Sequence, residues 1–212
     1  MGWFKKKLSP LDGYNRWAKT YSIESNPIKN FSDELIKKWM GDLSGKSFLD
    51  AGCGSGKICK LAQEEGAVKI LGIDFSPVMI EEAKKNYPDI EFKCHDLSTN
   101  KIVGRFDCVI CALVLGHLDD LNFVLTNLLN NVSDNGFVVI TDFHPYLTLQ
   151  GKRRTFTEKN SRKTFEIEHH LHLFEEYFSL FAKSNFYIEE LVEPTWNEQP
   201  VVFGMKLRKR KN

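Results

Sequence analysis

The chain has 212 residues, enough for one sizeable core and short for two full domains. Hydrophobic residues at 42% and charged residues at 27% suit an ordinary soluble fold, and a formal net charge of +1 supplies no overall field to draw nucleic acid or a membrane surface. No apolar run reaches membrane-spanning length, MGWFKKKLSP carries no signal-peptide core, and Lys6 stands where a myristoylation pattern needs Ser or Thr; together with five cysteines in mostly apolar surroundings, this points to the reducing cytoplasm.

PLDGYNRWAKTYSIE places Leu11, Tyr14, Trp17, Ala18 and Tyr21 at helical spacing. NFSDELIKKWMGDL predicts a second helix with Ser32 as its N-cap. From Lys46 onward strands and helices alternate. KSFLDAG, VKILGID, IEFKCHD, FDCVICALVL and GFVVITDF read as strands. KICKLAQEEGA, SPVMIEEAKKNYP and LNFVLTNLLNNVS read as helices, the second capped by Ser76 with Pro77 at its first position. This alternation predicts a parallel sheet covered on both faces. Cys108 and Cys111 form a C-x-x-C within a strand, where positions three apart face opposite ways; they read as core residues, not as a metal pair.

Beyond Pro145 the pattern is mixed. LFEEYFSLFAKSNF reads as a helix, and FYIEELVEP and QPVVFGMKLRK as two strands. Residues 145–172 look like an insertion over one end of the sheet. Continued as a strand, TFEIEHHLHL puts Phe165, Ile167, His169, Leu171 and Leu173 on one face, with His170 and His172 on the other.

LDAGCGSGK sets Gly52, Gly54 and Gly56 at the carboxyl rim of the sheet, where ligands of open parallel sheets bind and where glycine lets a ligand approach the backbone. Asp74 ends the next strand 22 residues after Gly52, near the spacing at which an acid reaches ribose hydroxyls. The loop is G-x-G-x-G. It is neither the G-x-G-x-x-G of dinucleotide folds, because Lys57 holds the place after Gly56, nor a P-loop. A nucleoside carrying an amino-acid tail instead of phosphates fits this pattern.

LDAGCGSG resembles motif I of the class I S-adenosylmethionine-dependent methyltransferases, and GIDFSPVMIEEAKKN, KCHDL, FDCVICALVLGHL and GFVVITDFHP resemble their successive later motifs, from about Lys46 to Pro145. The resemblance implies a Rossmann-like, doubly wound α/β fold with a seven-stranded, mostly parallel sheet whose last strand is antiparallel, an N-terminal helical lid and an insertion after strand 5. It implies one domain over 1–212: residues 1–42 as the lid, 46–145 as the cofactor-binding core, 145–172 as a substrate cover, and 173–212 as the final helix and two strands. It implies that S-adenosyl-L-methionine is bound and released as S-adenosyl-L-homocysteine. In that reading Asp50 and the Gly52–Gly56 backbone, with Cys53 and Gly54 between, border the methionine moiety, and Asp74 takes the ribose. Phe75 and Met79 flank the adenine, Asp96 takes its amino group, Leu97 faces a ring nitrogen, and the Ala112–Leu113 turn backs the methionine end. YNRWAKTY resembles the lid helix of small-molecule members, with Tyr14 and Tyr21 reaching one pocket.

Methyl transfer is an in-line displacement in which positioning does much of the work, and a base is needed only where the acceptor must lose a proton. Candidate bases are His117 and His144, after the fourth and fifth strands, and His169. HHLH lacks regular metal-ligand spacing, so no metal is expected. The N-P-P-[YF] type of tetrapeptide common in nucleic-acid methyltransferases is replaced by CALVLGHL, which argues for a small-molecule acceptor and against nucleic acid. The readings left open are a cofactor-binding regulatory protein without turnover, and a nucleic-acid or protein methyltransferase guided by GKRR and KLRKRK.

Overall fold

The structure is a computed structural model that describes residues 6–21, 26–158 and 161–210. Met1–Lys5, at the start read for targeting signals, and Lys211 and Asn212 of the basic tail lie outside the described residues. A strand that sequence reading did not anticipate, β1 (Lys6–Leu8), precedes α1 (Pro10–Tyr21) and α2 (Pro27–Met40). Pro27 opens α2 at the position its fixed φ favours, and Asn26 caps it by accepting from the Lys29 N–H at 3.0 Å. Ser32 is therefore not the cap. It lies buried inside the helix, sharing a 2.7 Å hydrogen bond with the Thr141 hydroxyl.

The expected alternation follows as β2 (Ser47–Ala51), α3 (Lys57–Glu64), β3 (Lys69–Asp74), α4 (Pro77–Asn86), β4 (Glu91–Cys94), β5 (Phe106–Ala112), a 3-10 turn at Leu115–His117, α5 (Leu121–Asn130) and β6 (Val132–Phe143). Ser76 caps α4 as expected, accepting from the Met79 N–H at 3.1 Å. After α6 (Pro145–Leu149), β7 (Thr155–Thr157) and β8 (Thr164–Ile167) come α7 (Phe174–Lys183), β9 (Phe186–Val192), β10 (Thr195–Trp196), β11 (Gln199–Pro200) and β12 (Val202–Lys209).

Seven strands form the main sheet in the order β4-β3-β2-β5-β6-β12-β9. Pairings among the first five are parallel, and β12 runs antiparallel to both neighbours, second from the edge. The two last strands are joined through the small hairpin β10–β11, whose tip residues Asn197 and Glu198 have φ of 49° and 62°, as a two-residue primed turn requires. Alternate residues of β5 divide between two cores. Cys108 and Ile110 pack with α2, α3 and α4 through Ile36, Trp39, Cys59 and Ile80; Val109 and Cys111 pack with α5 and α7 through Leu125 and Phe181. The C-x-x-C thus places one thiol in each core.

Two strands of the insertion join β1 from the N-terminal segment in a separate three-stranded sheet, in the order β1-β8-β7, with β1 parallel to β8. Leu8, Phe156, Phe165 and Ile167 form its core against Tyr14 and Trp17 of α1. The strand stops at Ile167, sooner than the alternation suggests, because the β1 partner ends at Leu8. The parity beyond that point is lost: Leu171 and Leu173 are exposed, and His172 is buried. Among the described residues no helix is long and apolar enough to cross a membrane.

Candidate functional site

Chain order along the main sheet reverses beside β2, since β3 and β4 lie on one side and β5 and β6 on the other; this is the switch point where open α/β sheets bind ligands. The glycine loop leaves β2 there. Gly52, Gly54 and Gly56 have φ of 90°, 51° and 87°, a region that side-chain-bearing residues avoid. The Gly52 and Cys53 N–H groups both donate to the Ile73 carbonyl, and the Gly54 N–H donates to Asp74 Oδ2 at 2.9 Å. A Cβ at Gly52 would lie 2.1 Å from a Val114 methyl, and one at Gly56 would lie 2.7 Å from the Phe92 ring. At Gly52 and Gly56 only glycine satisfies both the torsion and the space, and at Gly54 the torsion alone favours it.

Asp74 Oδ1 accepts from the Ser76 N–H at 2.9 Å, so each carboxylate oxygen has one backbone donor and keeps a second lone pair. Burial pushes its carboxyl up to about 6 against the pull of those two donors. Asp50 is fully buried beneath the loop, and burial pushes it up to about 7; its Oδ1 has no hydrogen-bond partner, while Oδ2 accepts from the Cys59 thiol.

A cavity of about 340 Å³ opens over these strand tips. Gly52, Gly54, Asp74, Phe75, Met79, Asp96, Leu97, Ala112 and Leu113 all line it. Tyr14 and Tyr21 of α1 line it too, with His117 and His170. One Asp96 oxygen is occupied by the Ser98 N–H and hydroxyl at 2.8 and 2.6 Å. Of the residues singled out by sequence, Asp50, Cys53 and Gly56 do not line this cavity. Asp50 and Gly56 belong to the packing under the loop, and Cys53 lines a smaller recess of about 60 Å³ on its far side, with Ser55 and Lys57.

The histidines separate. The His117 Nδ1–H donates to the Glu168 carbonyl at 2.9 Å, which leaves Nε2 to accept from the Tyr14 hydroxyl at 2.9 Å. Burial, with the Arg154 charge adding to it, holds His117 well below its ordinary range, so the ring is neutral. His144 lies outside the cavity. Its Nδ1 caps α6 by accepting from the Tyr146 N–H at 3.1 Å, and its Nε2 meets Glu193 at 2.8 Å. His169 also lies outside it, bonded to the Thr148 hydroxyl. His170, read as outward from the sequence, is the one that reaches the cavity, because its N–H donates to the Gly116 carbonyl and its ring meets Asp119 at 3.3 Å. The three histidines of HHLH therefore serve three different partners, His172 bonding Glu176 and the Leu118 carbonyl.

Sequence reading missed a clamp behind the site. Asp142, buried, accepts from the Gly116 and Phe143 N–H groups and pairs with Arg154 at 3.1 Å. Arg154 in turn donates to the carbonyl of Leu113, whose φ is 60°. An aspartate ending a strand and an arginine in an insertion carry no motif, and only the tertiary structure pairs them. A second cavity of about 320 Å³ lies across Tyr14, Tyr21 and Leu113, which line both. In the basic tail, Lys206 and Arg208 pair with Glu189, and Lys209 with Asp134.

The sequence model described as a methyltransferase domain matches residues 24–191. An uncharacterized protein of Haemophilus influenzae is 25% identical over 92% of this chain and 89% of its own length. The ubiquinone biosynthesis O-methyltransferase of Bradyrhizobium sp. is 30% identical over 65% of this chain; the match spans 54% of that relative, about half its length. Among solved structures, a putative S-adenosylmethionine-dependent methyltransferase from Listeria monocytogenes superposes with a TM-score of 0.74 at 21% identity, over 86% of this chain and 100% of that one, which establishes a common fold.

Proposed function

The chain belongs to the methyltransferase-domain family, and from that premise we propose that it transfers a methyl group from S-adenosylmethionine to a small-molecule acceptor. The observation that carries the reading is Asp74: a buried carboxylate at the switch point, fastened by Gly54 and Ser76, with a lone pair left on each of two adjacent oxygens. That geometry suits the vicinal hydroxyls of a ribose. The rest of the first cavity fits the same ligand. Phe75 and Met79 supply apolar faces for a purine, and Asp96 an acceptor for its amino group. Gly52 and Gly54 line the cavity without side chains of their own, so a ligand can lie against their backbone. Asp50, buried beneath the loop, supports this backbone from behind without lining the cavity. In this reading residues 1–42 form the lid, 46–145 hold the cofactor, 145–172 cover the acceptor and 173–212 complete the sheet. The small-molecule acceptor is supported by the resemblance of the lid and by the O-methyltransferase relative.

The cofactor's sulfonium, when bound, supplies an electrophilic methyl group. The acceptor atom donates the electron pair of the new bond while the carbon–sulfur pair stays on sulfur, so the protein's task is alignment and exclusion of water. Leu113, held at positive φ by Arg154 and by its own N–H to the Thr141 carbonyl, fixes one side of the path. Tyr14 fixes the other. Because its O–H is given to His117, its oxygen can accept a hydrogen bond from an acceptor hydroxyl and orient that oxygen. An acceptor proton passing to Tyr14 would be matched by the Tyr14 proton moving to His117 Nε2.

Calorimetric titration with S-adenosylhomocysteine tests the reading. The protein should bind it in the micromolar range, and Asp74→Ala should bind roughly a hundredfold more weakly while keeping a cooperative melt. No heat at millimolar ligand would overturn it.

A further inference from the structure

We propose that the second cavity is the acceptor chamber and that it takes an aromatic carboxylate; this rests on the methyl-transfer reading above. The two chambers share one wall, made by Tyr14, Tyr21 and Leu113, so a methyl group presented from the first meets an acceptor in the second between these side chains. Their linings have opposite sign. Asp74, Asp96 and Asp119 line the first cavity, and among the described residues no lysine or arginine does. Lys29, Arg153 and Arg154 line the second, and among the described residues no carboxylate does. An acidic chamber suits a ligand rich in hydroxyls and positive charge, and a basic one suits an anion.

Apart from Asn26 and Thr155, the remainder of the second lining is aromatic and aliphatic. Trp17 stacks on Phe156 with ring centroids 5.0 Å apart at 12°, and stands edge-on to Tyr21 at 5.0 Å and 87°. Tyr21 meets Tyr14 edge-on at 5.8 Å. These rings hold one another, so the wall offers a fixed plane to a planar guest. Trp196 of the β10–β11 hairpin, half exposed, lines the same cavity. A volume of about 320 Å³ lies at the small end of the range for ligand pockets, which suits one or two rings with a short anionic substituent. Arg154 is answered from behind by Asp142, whereas Arg153 meets Glu166 only at 3.6 Å and is half exposed, which leaves it able to turn toward an arriving anion.

The test is calorimetry on the full chain saturated with S-adenosylhomocysteine, using three probes: 2-naphthoate, its neutral match 2-naphthamide, and acetate, which has the charge without the ring. The expected result is 2-naphthoate binding roughly tenfold or more tightly than either of the others. Arg153→Gln should narrow that preference and leave S-adenosylhomocysteine affinity unchanged, and Lys29→Gln should narrow it by a separate route. Equal or tighter binding of 2-naphthamide, binding of acetate alone, or no binding of any probe while S-adenosylhomocysteine still binds would overturn the chamber assignment and leave methyl transfer standing. Failure to bind S-adenosylhomocysteine itself would remove both.

Discussion

The two chambers that meet at Tyr14 and Leu113 are built by different means. The floor of the first is largely backbone, with Gly52 and Gly54 at positive φ and Asp74 and Asp96 tied to N–H groups, while α1, the end of β5 and His170 supply the rest of its lining. The second is made of side chains gathered from α1, the start of α2, the insertion and the terminal hairpin. A ligand of fixed shape can be met by a fixed backbone. A partner chosen by chemistry is met by rings and charges, which change without disturbing the sheet.

Removing the clamp between the chambers should give the largest effect. Arg154→Met leaves Asp142 at 1% exposure without its cation, and should cost on the order of 4 kcal/mol, read as a lower urea midpoint. Cofactor affinity should fall with it, because Leu113 loses its anchor. Next comes a direct contrast between loops. Gly52→Ala sets a Cβ against Val114 at a strained torsion, and should cost on the order of 3 kcal/mol. The same change at Gly151 in the insertion, with φ of 74° and open space around it, should cost about 1 kcal/mol. Equal losses by thermal melting would erase the distinction between a ligand-shaped backbone and an ordinary turn.

A smaller effect carries a sign. Asp50 is raised to about 7 in the folded chain, so the native state holds its proton more tightly than the unfolded one. Its contribution is then most favourable below about pH 4, and stability is lost as pH rises toward 7. Asp50→Asn should therefore stabilise the ligand-free protein at pH 8 by an amount on the order of 2 kcal/mol, shrinking toward nothing near pH 4, and should weaken cofactor binding. A gain independent of pH would show that the carboxylate is not strained. The smallest effect is His144→Ala, which should cost about 1 kcal/mol through loss of the α6 cap and leave S-adenosylhomocysteine affinity unchanged by calorimetry.

The same contrast governs what the sequence discloses. The turn at Gly52, the position of Asp74 at a strand tip and the Ser76–Pro77 helix start are legible because each placement is set by near neighbours in the chain. Asn26–Pro27 carried an equally local signal, an N-cap followed by proline, and it outweighs Ser32. His144 stands directly before Pro145, the same cap position, and it caps α6. The histidines of 169–172 were misread for another reason. Alternation assumes that a strand continues, and β8 ends where its three-residue partner does. That partner, β1, has no propensity signal of its own and exists through pairing. The Asp142–Arg154 clamp and the aromatic wall are tertiary throughout.

The pairing of Lys6 with Phe165 joins the beginning of the described chain to its last quarter. During synthesis the strands from β2 to β6 can assemble before residue 165 leaves the ribosome, so the roof closes only after the parallel half of the main sheet. In the finished protein the same ladder yokes α1 to the insertion. Admission and release of guests then require both to lift together, and the amide protons of β1 and β8 should exchange with solvent as one cooperative unit, faster than those of the main sheet.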